Sequence, residues 1–117
     1  MIPSDKPRRI RLCALETLPE EGAIGFKVEI AKDTRAIFVV RHQGECHAYV
    51  NSCPHTGVTL DWQPDQFLDS SGTLIQCSTH GALFRIEDGF CVYGPCANRS
   101  LTAIPMTVEA GQLYLLP

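Results

Sequence analysis

Two short segments constrain this chain more than any other feature of it. Cys53-Pro54-His55 and Cys77-Ser78-Thr79-His80 each carry one thiol and one imidazole within a few residues. Four such ligands in two matched pairs make a metal site, so the fold must bring both segments to one place. The first spacing, with one residue between cysteine and histidine, is tighter than the knuckles of ordinary structural zinc sites. A two-iron cluster suits it better. One cysteine from each segment on one iron, and one histidine from each on the other, clamp a 2Fe-2S core between two loop tips.

The flanking sequence alternates short apolar runs with turn signals. Ile10, Leu12 and Ala14 share one strand parity, as do Phe26, Val28 and Ile30. A run from Arg35 to Arg41, rich in β-branched residues, ends at Gln43-Gly44, and Cys46 to Val50 reads as the return strand of a hairpin. Further runs at Thr73 to Gln76, Leu83 to Ile86, Met106 to Glu109 and Gln112 to Leu116 are separated by Asp88-Gly89 and Ala110-Gly111. No long helix is predicted. Many short strands at close spacing predict an antiparallel all-β sandwich or open barrel. The two Cys/His segments, each following a strand, become site loops on that scaffold, and Leu60 to Gly72 becomes a connector with one helical turn.

With 117 residues the chain can bury a core without cross-links, so its six cysteines need another explanation. The expected compartment is a reducing cytoplasm, where so many cysteines point to metal or redox chemistry rather than a disulfide framework. Ten Lys and Arg against thirteen Asp and Glu give a net charge of −3, with no basic stripe for nucleic acid. Apolar runs such as Ala36 to Val40 are too short to span a membrane. Arg8-Arg9 is followed by Arg11, Glu16, Glu20 and Glu21 instead of an apolar stretch, and reads as surface charge rather than an export signal.

On these residues the chain resembles the Rieske iron–sulfur proteins, whose pattern is CxH, an intervening segment, and CxxH. Cys53-Pro54-His55-Thr56-Gly57 and Cys77-Ser78-Thr79-His80-Gly81 match it. The resemblance continues through Leu83-Phe84, Asp88-Gly89, Gly94-Pro95 and the final hairpin at Ala110-Gly111. It implies a Rieske-like antiparallel β sandwich or open barrel with a small cluster-binding subdomain formed by two loops. One domain over residues 1–117 is expected, with its cluster-binding part at about 51–86. It further implies one Rieske-type 2Fe-2S cluster held by Cys53, His55, Cys77 and His80. Gly57 and Gly81 can take positive φ beside the ligands, and Pro54 restrains the first loop tip.

An oxidised cluster bound by two thiolates and two neutral imidazoles is neutral overall, which raises its potential into a window of about −150 to +300 mV. High-potential members of the resembled family add a disulfide between the loops and Ser and Tyr hydroxyls on the cluster sulfurs. This chain has Val58, Thr79, Ala82 and Phe84 at the matching positions. A potential in the low part of the window is therefore expected, as in ferredoxins that feed oxygenases.

The other cysteines divide. Cys13 and Cys46 lie in strand-like runs and read as small core residues. Cys91 and Cys96, in Gly89-Phe90-Cys91-Val92-Tyr93-Gly94-Pro95-Cys96, resemble a variant of a loop that packs under the cluster; structural thiols, a local disulfide and a redox role stay open. His42 and His47 are read as hairpin histidines rather than a second metal pair with Glu45. Trp62 and Phe67 are read as a hydrophobic plug. Asp61, Asp65, Asp69 and Glu45 are either a solvated face or an acidic docking rim.

The functional expectation is a one-electron carrier passing electrons from a reductase to a terminal oxygenase or other oxidoreductase. No catalytic residue and no small-molecule substrate site are expected, and neither nucleic acid nor a membrane is a partner. A catalytic oxygenase would need a mononuclear iron with two further histidines and a carboxylate, in a chain longer than this. Two alternatives remain: a small Rieske subunit of a nitrite reductase, and a zinc-binding structural or interaction module on the same four ligands.

Overall fold

A computed structural model of the chain describes residues 9–30, 32–54, 59–61, 65–77, 81–96 and 98–116. Among the described residues, ten strands form three antiparallel sheets: β1 (Ile10–Ala14), β2 (Gly22–Ile30), β3 (Asp33–His42), β4 (Glu45–Val50), β5 (Leu74–Gln76), β6 (Leu83–Arg85), β7 (Cys91–Tyr93), β8 (Ala103–Ile104), β9 (Met106–Glu109) and β10 (Gln112–Leu115). The sheet orders are β1-β10-β9, β2-β3-β4-β8 and β5-β6-β7. The only helix among the described residues is a single 3-10 turn at Leu15–Thr17.

The middle sheet is built around β3, and its sequence explains why. A strand with one wet face alternates apolar and polar residues, whereas one buried on both faces reads as a continuous apolar run. Ile37, Phe38, Val39 and Val40 are all fully buried. Phe38 and Val40 enter one core with Tyr49, Phe67, Ile75, Phe84 and Leu101. Ile37 and Val39 enter a second core on the opposite face, with Val28, Ala48, Leu113 and Leu115. The four-stranded sheet is thus a shared wall, with β5-β6-β7 packed on one side and β1-β10-β9 on the other.

The turns follow from local chemistry. Gln43 and Gly44 both have positive φ (51° and 80°), as do Ala110 and Gly111 (50° and 75°), which is the two-residue hairpin geometry whose twist matches the flanking strands. Register across β3 and β4 runs without slip from Ile37↔Val50 to His42↔Glu45. β7 and β8 are short strands that the sequence pattern did not predict. The helical turn expected between Leu60 and Gly72 is not among the described residues; Leu68 instead makes an isolated antiparallel bridge to Ile75.

Several sequence readings find their places. Cys13 and Cys46 are half-buried against the second core, and burial pushes both thiols above their ordinary pKa. Phe67 is fully buried and stacks on Phe38, with ring centroids 4.4 Å apart; Trp62 lies outside the described residues. His42 donates a 2.6 Å hydrogen bond from Nδ1 to Glu21, whose second carboxylate oxygen accepts from the Gln43 amide. Arg9 pairs with Glu109 at 2.8 Å and covers the Tyr114 ring; Arg8 lies outside the described residues.

Candidate metal centre

Both ligand loops leave the first core. The chain reaches loop one through β4, whose last residue, Val50, donates its amide to the Thr102 carbonyl. Asn51 then fastens the loop at its base. It is the buried polar residue of the described chain, 8% exposed. Its Oδ1 accepts from the Leu60 amide at 2.7 Å and its Nδ2 donates to Asp61 at 3.0 Å, so one side chain ties the strand entering the loop to the chain leaving it. A buried amide is kept only where its groups are satisfied, and here both are.

The two ends of loop two meet between β5 and β6. The Cys77 amide donates to the Ala82 carbonyl at 2.9 Å, and the Gly81 amide donates to the Cys77 carbonyl at 2.8 Å. Gly81 has φ 73°, a conformation that a residue with a Cβ adopts only with strain. Cys53 and Cys77, at 1% and 0% exposure, lie in the same buried cluster. The four proposed ligands therefore divide: the fold places both cysteines in one buried core, while His55 and His80 lie outside the described residues, as do Gly57, Val58 and Thr79. Ala82 and Phe84 are fully buried.

A third segment, following β7, closes on both loops. Gly94 has φ 100°, and a Cβ there would sit 2.8 Å from the Ala82 Cα, so the segment packs against loop two through a glycine. Cys96, fully buried, lies with its Sγ 3.4 Å from that of Cys53. Arg99 donates its amide to the Cys96 carbonyl and its Nη1 to the Pro54 carbonyl at 3.0 Å. The Cys91 thiol points elsewhere, to the Tyr93 carbonyl at 3.2 Å, so Cys91 and Cys96 do not bond to each other. Val92 and Tyr93 are exposed, Tyr93 by 66%, next to this closing segment.

The sequence left Cys96 between a structural thiol, a local disulfide and a redox role, and did not point to Asn51 or Arg99. The only signal for Asn51 is an amide directly after an apolar strand. Arg99 carries none, because its target, a backbone carbonyl, leaves no trace in the sequence. The acidic residues near the loops have local uses. Asp61 accepts from Asn51, Asp65 accepts from the Gly25 amide at 2.8 Å, and Asp69 accepts from Ser71, with hydrogen bonds to it holding its carboxyl below the usual range.

Two buried thiols in one core, each at the root of a loop with a histidine two or three positions on, form a donor set that fits a cluster with mixed sulfur and nitrogen ligation. Comparison with known proteins agrees. The family pattern described as Rieske [2Fe-2S] domain matches residues 8–109. The ferredoxin component of an alkene monooxygenase system from Xanthobacter autotrophicus is 35% identical over 106 residues, covering 91% of this chain and 79% of that protein. Among solved structures, a ferredoxin from Sphingomonas yanoikuyae superposes with a TM-score of 0.72 at 28% identity, over 94% of this chain and 99% of its own. The ferredoxin of carbazole 1,9a-dioxygenase from Nocardioides aromaticivorans superposes with a TM-score of 0.72 at 20% identity, over 93% and 97%, a likeness of fold.

Proposed function

The chain belongs to the Rieske [2Fe-2S] domain family, and on that premise we propose that Cys53 and Cys77 ligate one iron of its cluster while His55 and His80 ligate the other. The cluster, when bound, takes up and gives back a single electron. The protein is a ferredoxin-type electron carrier, and its residues serve that role by holding still. The Asn51 clasp, the Cys77 amide bond and the Arg99 hydrogen bond tie down the described ends of both loops, which favours small reorganisation on electron transfer. We read residues 1–117 as one domain, with the cluster-binding part at about 51–86.

Its place is between a reductase and a terminal oxygenase. The observation supporting this is the 35% identity, over nine-tenths of the chain, to the ferredoxin component of an alkene monooxygenase system. The exposed Val92 and Tyr93 beside the closing segment offer a partner an apolar edge within reach of the site. Transient electron-transfer contacts lie at the small end of the interface range, and these two residues would form part of one. No helix among the described residues is long and apolar enough to cross a membrane. From the six cysteines, which suit a reducing compartment, we infer a cytoplasmic location.

The test is spectroscopic. Protein purified without oxygen is expected to be red-brown, to carry two irons per chain, and to give a rhombic electron paramagnetic resonance signal on reduction. A colourless, silent protein with one zinc overturns the reading in favour of a zinc module. Co-purification with a large sirohaem subunit would assign it to a nitrite reductase instead.

A further inference from the structure

Cys96 lies against a proposed ligand but, on the ligand reading above, does not ligate. That reading already gives the cluster its two thiolates, and Cys96 belongs to the third segment. Its Sγ is fully buried and 3.4 Å from the Sγ of Cys53, inside the 4.0 Å reach of a hydrogen bond between sulfurs. Its position is determined from three directions. Gly94 fits against Ala82 with no room for a Cβ, the Arg99 amide holds the Cys96 carbonyl at 2.9 Å, and the Arg99 side chain anchors the segment to Pro54, next to Cys53.

We propose that the Cys96 thiol donates a hydrogen bond to the Cys53 sulfur when that sulfur is an iron ligand, and that it sets the reduction potential through this bond. The inference rests on Cys53 being a ligand. A coordinated thiolate is an acceptor only, so the proton of the pair stays on Cys96. Adding an electron makes the ligand sulfurs more negative, and a buried donor aimed at one of them stabilises the reduced form more than the oxidised form. This chain lacks the serine and tyrosine hydroxyls that serve this purpose in the high-potential proteins, having Ala82 and Phe84 there. Cys96 supplies one donor from a different loop. Its weak S–H makes the contribution a partial one.

The test is potentiometric titration of the loaded protein, with Cys96→Val, which fills the space without a donor, and Cys96→Ser, which keeps one. Cys96→Val is expected to lower the reduced-to-oxidised ratio at a fixed potential by up to about tenfold, equivalent to 59 mV for one electron. Cys96→Ser is expected to stay near the parent. A Val variant with the parent's midpoint overturns the proposal, as does a Ser variant that falls as far as Val, since packing would then be the cause. So does a Val variant that folds but takes no cluster, because a donor shifts a potential without being needed for ligation. If Val does not fold, Ser decides: a midpoint at or above the parent supports the donor, and one below it refutes it. A parent protein without the rhombic signal refutes the ligand assignment instead, so the two failures are distinguishable.

Discussion

The guanidinium of Arg99 donates to the Pro54 carbonyl at 3.0 Å, tying the last of the three site segments to the tip of the first. Truncating this side chain leaves the backbone of both segments intact and removes only the tie. Arg99→Ala is expected to weaken closure of the site by about 1 kcal/mol, and so to speed cluster loss to a chelator by about fivefold. Bleaching rates of the visible absorbance check this; equal rates in variant and parent would show that the tie contributes nothing.

Asn51 has two tasks at once, and its loss is expected to cost more. In Asn51→Ala the Leu60 amide loses its acceptor in a buried position, a penalty of about 1–3 kcal/mol. Asn51→Asp keeps the acceptor but sets a carboxylate against Asp61. Denaturant unfolding should rank the parent above both variants.

Two glycines of positive φ separate conformation from contact. Gly111→Ala meets nothing within 4 Å, so its cost is backbone strain alone, about 1–2 kcal/mol. Gly94→Ala adds a contact of 2.8 Å with Ala82 Cα at the mouth of loop two. It is expected to unfold at lower denaturant than Gly111→Ala and, unlike it, to bind less iron per chain.

Tyr49 ties the first core to the chain after β6, donating its hydroxyl to the Ile86 carbonyl at 2.5 Å. Burial, helped by Asp88 and Glu87, pushes its pKa from 10.0 up to about 12. A group whose pKa is raised by folding stabilises the fold below its unfolded value and loses that contribution as pH rises through the folded one. Stability is therefore expected to fall between about pH 10 and 12, with a shallower fall in Tyr49→Phe, which costs about 1 kcal/mol at neutral pH. Urea midpoints measured across that range would show parallel falls if Tyr49 were not responsible.

His80→Cys replaces an imidazole by a third thiolate and is expected to keep a cluster with a midpoint well below the parent's, moving toward the values near −400 mV of all-cysteine plant-type centres. His80→Ala removes a ligand and should leave most chains without iron. For the parent, a midpoint above about +100 mV, in the upper part of the family's window, would contradict the absence of sulfur-directed hydroxyls.

The scaffold was legible wherever a strand has a repeating or continuous apolar pattern: β1, β3, β4, β9 and β10 fall where the sequence places them. β7 and β8 escaped because strands of two or three residues have no period to detect. The ligand loops were legible because metal binding requires particular side chains at particular spacings. Their support was not. Asn51, Cys96 and Arg99 act on a backbone amide, a neighbouring sulfur and a backbone carbonyl, and contacts across 9, 43 and 45 positions leave no local pattern. The acidic residues were ambiguous for the same reason, since hydrogen bonds to Gly25 and Ser71 are tertiary and local facts that charge alone does not disclose.

The two faces of β3 have a consequence for how such a protein is made. The core behind it, formed by Val28, Ile37, Val39, Ala48, Leu113 and Leu115, contains neither Cys53 nor Cys77. That half can consolidate on a newly synthesised chain before any iron arrives. The half that awaits the metal then shares a finished wall, with Phe38 and Val40 already in register to receive it.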